Sequence, residues 1–198
     1  MNDKATYHTL YLTGPPATGK SALVSHLKSQ VAPLLTFSYS EVLAEYLNAI
    51  ESRELTQSDI RSGSSRLVRP QHVAAIDDRL IQLVEENRTT AHIMIDSHAV
   101  TKEHFGYRVT PFTLEKLSAI RPTMIVMLYA DAEVVRQRIT ADSQGRPQVS
   151  AFEADLHTQL QAAIAVSYSL HAGVPLYLLD SSAPTEELAR QIIRRLGA

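Results

Sequence analysis

Thr9-Leu10-Tyr11-Leu12-Thr13-Gly14-Pro15-Pro16-Ala17-Thr18-Gly19-Lys20-Ser21 is the stretch that decides the fold. Thr9 to Thr13 reads as a short strand and Gly14 to Gly19 as a turn. From Lys20 to Gln30 the apolar positions Ala22, Leu23 and Leu27 recur at helical spacing. Between strand and helix stands Gly-x-x-x-x-Gly-Lys-Ser, the Walker A phosphate-loop pattern. Its chemistry follows from position. Backbone N–H groups of Gly14, Pro15, Pro16, Ala17, Thr18 and Gly19 (prolines excepted) wrap a chain of phosphates, and the glycines permit the turns. A helix that begins near Lys20 turns its positive end toward the anion. The Lys20 ammonium bridges β- and γ-phosphates, and the Ser21 hydroxyl ligates magnesium. The implied cofactors are ATP and Mg2+.

Working outward, further strands are expected at Leu34 to Phe37, Ala91 to Ile95 running into Asp96, Thr123 to Tyr129, and Pro175 to Leu179. The run MIVMLY is continuously apolar, as in a strand buried on both faces. Helices are expected at Glu41 to Ile50, from Pro70 onward, at Thr113 to Ile120, Ala132 to Ala141, Phe152 to Ala172 and Thr185 to Leu196. Ile50 is counted on the apolar face of its helix. Met94, Met124 and Met127 are core positions. Glu51 to Arg69 and Asp142 to Ser150 are polar connecting segments. Five strands alternating with helices give an α/β fold: a P-loop NTPase three-layer sandwich, with a five-stranded, mostly parallel sheet and helices on both faces.

Length and composition exclude several alternatives. The 198 residues fit one domain, residues 1–198. A net charge of -2 carries no basic surplus, so there is no strong nucleic-acid signal. With no cysteine, disulfides, thiolate metal sites and cysteine nucleophiles are ruled out, and a cytoplasmic location is expected. The start of the chain is too short and polar for a signal peptide, and no run is long and apolar enough to span a membrane. The eight histidines show no zinc-ligand spacing, and no nucleophile elbow is present.

Beyond the loop, four blocks carry a resemblance: Asp96-Ser97-His98-Ala99-Val100-Thr101-Lys102 continuing to Gly106-Tyr107 and Pro111; Asp59-Ile60-Arg61; Arg136-x-Arg138 followed by Arg146; and Ser167-Tyr168. In these the chain resembles the archaeal-type adenylate kinases, a branch of the P-loop nucleoside monophosphate kinases. The resemblance implies transfer of the ATP γ-phosphoryl group to a nucleoside monophosphate. It also implies a monophosphate-binding region near residues 38–90, a short lid near 138–150, and a homo-oligomer, a trimer in the family. The chain departs from the family where Ala162 replaces an arginine, and at Phe105 and Arg108.

Phosphoryl transfer needs positioning and positive charge more than covalent chemistry. Arg61, Arg138 and Arg146 are the candidates to bridge two phosphate-bearing substrates, because guanidinium grips phosphate as a fork. Asp96 ends a strand where open α/β sheets bind ligands, and reads either as a magnesium-holding carboxylate or as the cap of the next turn. His98, Lys102 and Tyr107 each have two readings, acceptor binding or ordinary structure. The leading function is a nucleoside monophosphate kinase with a small-molecule nucleotide substrate. A P-loop kinase of a hydroxyl-bearing acceptor, and a partner-stimulated ATPase or switch, stay open.

Overall fold

In the computed structural model, residues 6–51, 67–141 and 148–197 are described. The element order is β1 (Thr9–Thr13), α1 (Lys20–Gln30), β2 (Leu34–Ser38), α2 (Tyr39–Glu51), α3 (Pro70–Asn87) and β3 (His92–Asp96). It continues with β4 (Val100–Glu103), β5 (Gly106–Val109), α4 (Leu114–Ile120), β6 (Met124–Tyr129), α5 (Ala132–Ala141), α6 (Ala151–Ala172), β7 (Leu176–Asp180) and α7 (Thr185–Leu196); α3 to α7 are numbered over the described residues.

Five strands form one sheet in the order β2-β3-β1-β6-β7, every neighbouring pair parallel. Strand β1 lies between β3 and β6, with Leu12 in register with Asp96 and Thr13 with Met127. The expected doubly wound sheet is therefore present. The expectation lacked one feature: Val100–Glu103 and Gly106–Val109 form an antiparallel hairpin outside the main sheet, with Val100 opposite Val109. Its strands are short and polar, so no two-residue hydrophobic period announced them.

Alternation along the strands sorts side chains into two cores. Leu10, Leu12, Met94, Val126 and Leu128 face α1 and α7, where Leu23, Leu27, Leu188 and Ile192 close the layer. Tyr11, Ile93, Ile95, Ile125 and Met127 face the opposite way, against Ile76 and Leu80 of α3, Leu117 of α4 and Tyr168 of α6. Each fully buried Leu or Ile contributes about 1.5–3 kcal/mol. Met94, Met124 and Met127 are buried as expected, whereas Ile50 is 47% exposed near the end of α2 and Leu47 takes the buried position instead. Helix α6 starts on a capping box: the Ser150 hydroxyl accepts from the Glu153 N–H at 3.2 Å, and the Glu153 carboxylate accepts from the Ser150 N–H at 2.8 Å.

Candidate active site

The loop after β1 is built by backbone conformation. Gly14 has φ +143° and Gly19 φ +82°, and Ala17 adopts φ +63°. A side chain at Gly14 would run into the Leu128 carbonyl oxygen, so this glycine is required by both torsion and packing. The Thr18 hydroxyl donates to the Pro15 carbonyl at 2.8 Å and closes the loop on itself. Lys20 lies back over the loop and donates to the Gly14 and Pro15 carbonyls at 2.7 and 3.1 Å. Helix α1 has neither a side-chain cap on Gly19 nor an acidic residue in its first turn. Its first N–H groups and its dipole are therefore not used by a side-chain cap, an arrangement suited to an anion such as a triphosphate.

A cleft of about 910 Å³ opens from this loop. Its walls include Pro15, Pro16, Ala17, Thr18, Gly19, Lys20 and Ser21, with Asp96, His98, Lys102, Tyr107 and Arg138. Gly14, buried beneath, is not part of the wall. The structure thus brings the loop from Pro15 to Ser21 and five distant residues of the sequence reading into one space. Arg61 and Arg146 lie outside the described residues. The cleft extends away from the loop into a chamber walled by Phe37, Tyr39, Asp77, Phe112 and Tyr168, from β2, α2, α3, the hairpin exit and α6. A smaller pocket of about 300 Å³ on the other flank of the loop is lined by Gly19, Leu23, Arg138, Ser181 and Pro184.

Asp96 ends β3 beside the loop. Burial raises its carboxyl above the usual range, Lys20 draws it down, and Glu41 pushes it up. Ser21 and Asp96 present oxygen donors of the kind a magnesium ion takes, on the same cleft as the phosphate loop. Arg138 is fixed between two loops: it donates to the Ser181 hydroxyl at 3.0 Å, the Ser181 carbonyl at 2.7 Å and the Ala17 carbonyl at 3.4 Å. His98 is exposed at the cleft wall.

Lys102 and Tyr107 are placed by a network on α6. Lys102 forms a 2.7 Å ion pair with Glu153 and lies 5.3 Å from the Tyr107 ring centroid. The Tyr107 hydroxyl donates to the Glu153 carbonyl at 2.6 Å. Burial, reinforced by the Glu153 charge, pushes the Tyr107 phenol up to about 12. The hydrogen bond from Lys102 and those from Ser150 hold the Glu153 carboxyl down at about 2. Lys102 and Tyr107 therefore dock the hairpin on the helix as well as lining the cleft.

Other contributors are absent from the sequence reading. Buried Gln161 donates to the Thr13 hydroxyl at 2.8 Å and accepts from the Val100 N–H at 3.3 Å, stitching β1 to β4. His157 contacts the Val100 carbonyl at 3.1 Å, which makes Nε2 the protonated nitrogen; burial lowers its pKa to about 4. Asp77 accepts from the Tyr39 hydroxyl at 3.0 Å and pairs with Lys116 at 2.6 Å, joining α2, α3 and α4 behind the chamber. A signal for the first pair did exist: His157 and Gln161 are polar residues four apart on the face of α6 that carries Ala165 and Tyr168 inward.

Fold, loop and cleft together define a P-loop, ATP-dependent phosphotransferase. Residues 13–154 match the family described as AAA domain, and the chain belongs to that family. It is similar to the adenylate kinase of Methanothermobacter thermautotrophicus, with 24% identity over 86% of this chain and 88% of the relative. It is also similar to the adenylate kinase of Thermococcus onnurineus, with 23% identity over 86% and 84%. Among solved structures, a shikimate kinase from Bacteroides thetaiotaomicron superposes with TM-score 0.60 at 14% identity, covering 96% of this chain and 99% of that one. The tunicamycin resistance protein of Deinococcus radiodurans superposes with TM-score 0.57 at 14% identity, covering 96% of each chain. These two share the fold. Among the described residues, no helix is long and apolar enough to cross a membrane.

Proposed function

We propose that the protein is a nucleoside monophosphate kinase of the adenylate-kinase type, transferring the γ-phosphoryl group of ATP to a nucleoside monophosphate. The observation that carries this reading is the shape of the cleft. One continuous space of about 910 Å³ joins the phosphate loop to an aromatic-walled chamber, room for an acceptor with a planar ring next to a triphosphate. The names of the two sequence relatives point the same way.

In this reading the triphosphate lies on the backbone N–H groups of residues 14–19. Lys20 exchanges its loop carbonyls for phosphate oxygens, and the ATP base takes the smaller pocket beside Arg138. Ser21 and Asp96 would hold Mg2+, which neutralises charge on the phosphates when bound. The acceptor attacks with a phosphate oxygen that is already ionised, so no side chain needs to remove a proton. Arg138, Arg61 and Arg146 supply positive charge between the two substrates, and His98, Lys102 and Tyr107 border the acceptor. The described parts of residues 38–90 wall the acceptor chamber, while residues 138–150 act as the lid that excludes water.

The test offers AMP, GMP, CMP and UMP separately with ATP and Mg2+ and resolves products by chromatography, with Lys20→Ala alongside. A diphosphate product that falls by about 10²–10³ or more in Lys20→Ala establishes the reading. No diphosphate from any monophosphate refutes it. A hydroxyl-bearing acceptor is the second reading, favoured by the raised Asp96 carboxyl, which takes up a proton more readily than an ordinary carboxylate. The structural neighbours include proteins named as a sugar kinase, a gluconokinase and a shikimate kinase. Adding a hexose, gluconate and shikimate to the panel separates the two: phosphorylation of one of these, lost in Asp96→Asn with ATP binding retained, selects the second.

A further inference from the structure

The outer face of α6 is apolar. At about 100° per residue, Phe152, Leu156, Gln159, Ala163, Val166 and Leu170 fall within about 40° of one line along the helix. Ala154, His157, Gln161, Ala165 and Tyr168, the buried side, lie along the opposite line. Phe152 is 73% exposed, Leu170 78% and Val166 44%; Gln159 and Ala163 are exposed and Leu156 is half-buried. A helix with one side in the core normally turns charge to the water on the other. Here no lysine or arginine occurs between 151 and 172, and Asp155 is the one acidic residue after the first turn. Its carboxylate accepts from the Gln159 amide at 2.6 Å. Leu178, two residues on from Leu176 of the core beneath α6, is also exposed on the edge strand β7. A row running about 27 Å from Phe152 to Leu170 is more than scattered surface leucine.

We propose that this face binds a second copy of the chain, α6 lying antiparallel on its counterpart about a two-fold axis level with Gln161. The order of the row selects the occupant. Rotation about that axis sets Phe152 against the partner's Leu170, Leu156 against the partner's Val166 and Gln159 against the partner's Ala163. Each pair recurs with the copies exchanged, as an isologous contact requires. The small Ala163 lies next to the axis, where two crossing helices approach closest. The two Asp155 side chains stand about 18 Å apart along the helices, so no like charges meet. A lipid surface is disfavoured, because an interfacial helix carries Lys and Arg on its polar face and α6 has neither. None of the six residues lines the cleft, so pairing is separable from phosphoryl transfer and from the choice of acceptor. One helix face is small for an interface, which makes the pair concentration-dependent. A two-fold contact closes at two copies, unlike the trimer that the family resemblance implies.

Sedimentation equilibrium of wild type and Leu170→Glu, from about 1 µM to about 200 µM, reads the association. Wild type is expected to move from the 21.9 kDa of one chain toward twice that mass. Leu170→Glu puts a carboxylate at both ends of the shared row. It is expected to raise the dissociation constant about tenfold or more, with the thermal melt at low concentration unchanged. Orientation is read by oxidative cross-linking, since the chain has no cysteine of its own. Leu156→Cys and Val166→Cys are prepared separately. Mixed, they are expected to form a disulfide between copies; alone, each stands about 15 Å along the helix from its twin, too far to bridge. Wild type that keeps the mass of one chain throughout overturns the proposal. So does a mass of three chains, undiminished association of Leu170→Glu, or cross-linking no stronger in the mixture than in either variant alone. Should Leu170→Glu melt below wild type, the cross-linking of the mixture decides by itself.

Discussion

His157 makes the docking of the β4–β5 hairpin sensitive to acid. Its protonated Nε2 donates to the Val100 carbonyl, and it sits edge-on to Tyr107 with ring centroids 5.1 Å apart. Burial lowers the imidazole from 6.5 to about 4, and Lys20 and Lys102 add repulsion that outweighs little of the carbonyl's opposite pull. Between those two values the unfolded chain binds a proton that the folded chain refuses, so stability falls as pH falls. Each unit is worth about 1.4 kcal/mol, so going from pH 7.5 to pH 4.5 removes roughly 2–3 kcal/mol, and the full interval about 3 kcal/mol. The Glu153 carboxyl, held at about 2, remains ionised through this window and keeps its pair with Lys102. The raised Asp96 carboxyl acts in the opposite direction, stabilising the fold as it takes up its proton, but it does so equally in wild type and variant. Urea denaturation at pH 7.5 and 4.5 of wild type and His157→Gln isolates the histidine, since the glutamine amide keeps a donor for Val100. Wild type is expected to lose about 2–3 kcal/mol more than the variant over this range. Equal losses would refute the assignment of a buried, neutral imidazole.

Three further outcomes are expected. Gly14→Ala places a Cβ against the Leu128 carbonyl at φ +143° and costs about 2–4 kcal/mol, read as a shift in the denaturation midpoint with ATP affinity lost in parallel; a stable variant with normal ATP binding would remove the backbone argument. Gln161→Met keeps the volume but strands the Val100 N–H and the Thr13 hydroxyl, and should cost about 2–3 kcal/mol, with faster amide exchange at Val100. Asp96→Asn should slow transfer about 10–100-fold and raise the Mg2+ concentration needed for half-maximal rate; an unchanged Mg2+ requirement would assign Asp96 to capping the turn after β3.

The sequence alone determined the phosphate loop, the parallel sheet and the order of its helices. These are local properties: glycine spacing sets backbone torsion, and the period of apolar residues sets strand or helix. It also marked Asp96, His98, Lys102, Tyr107 and Arg138, which the fold gathers on one cleft with the loop. Tertiary structure decided the rest. The hairpin at 100–109 has little apolar pattern of its own and is held by Glu153, His157 and Gln161, through bonds that span 46 to 61 positions. Arg138 reads in sequence as a free phosphate fork, yet its guanidinium is oriented by Ser181 and Ala17 from two other loops. Tyr11 looks like one more residue of a core strand, and only the packing sets its ring edge-on to Phe112 and Tyr168 at the cleft wall. Chain neighbours dictate backbone form, but the partner of a polar side chain is set by whichever distant element packs against it, and no periodicity in the chain records that choice.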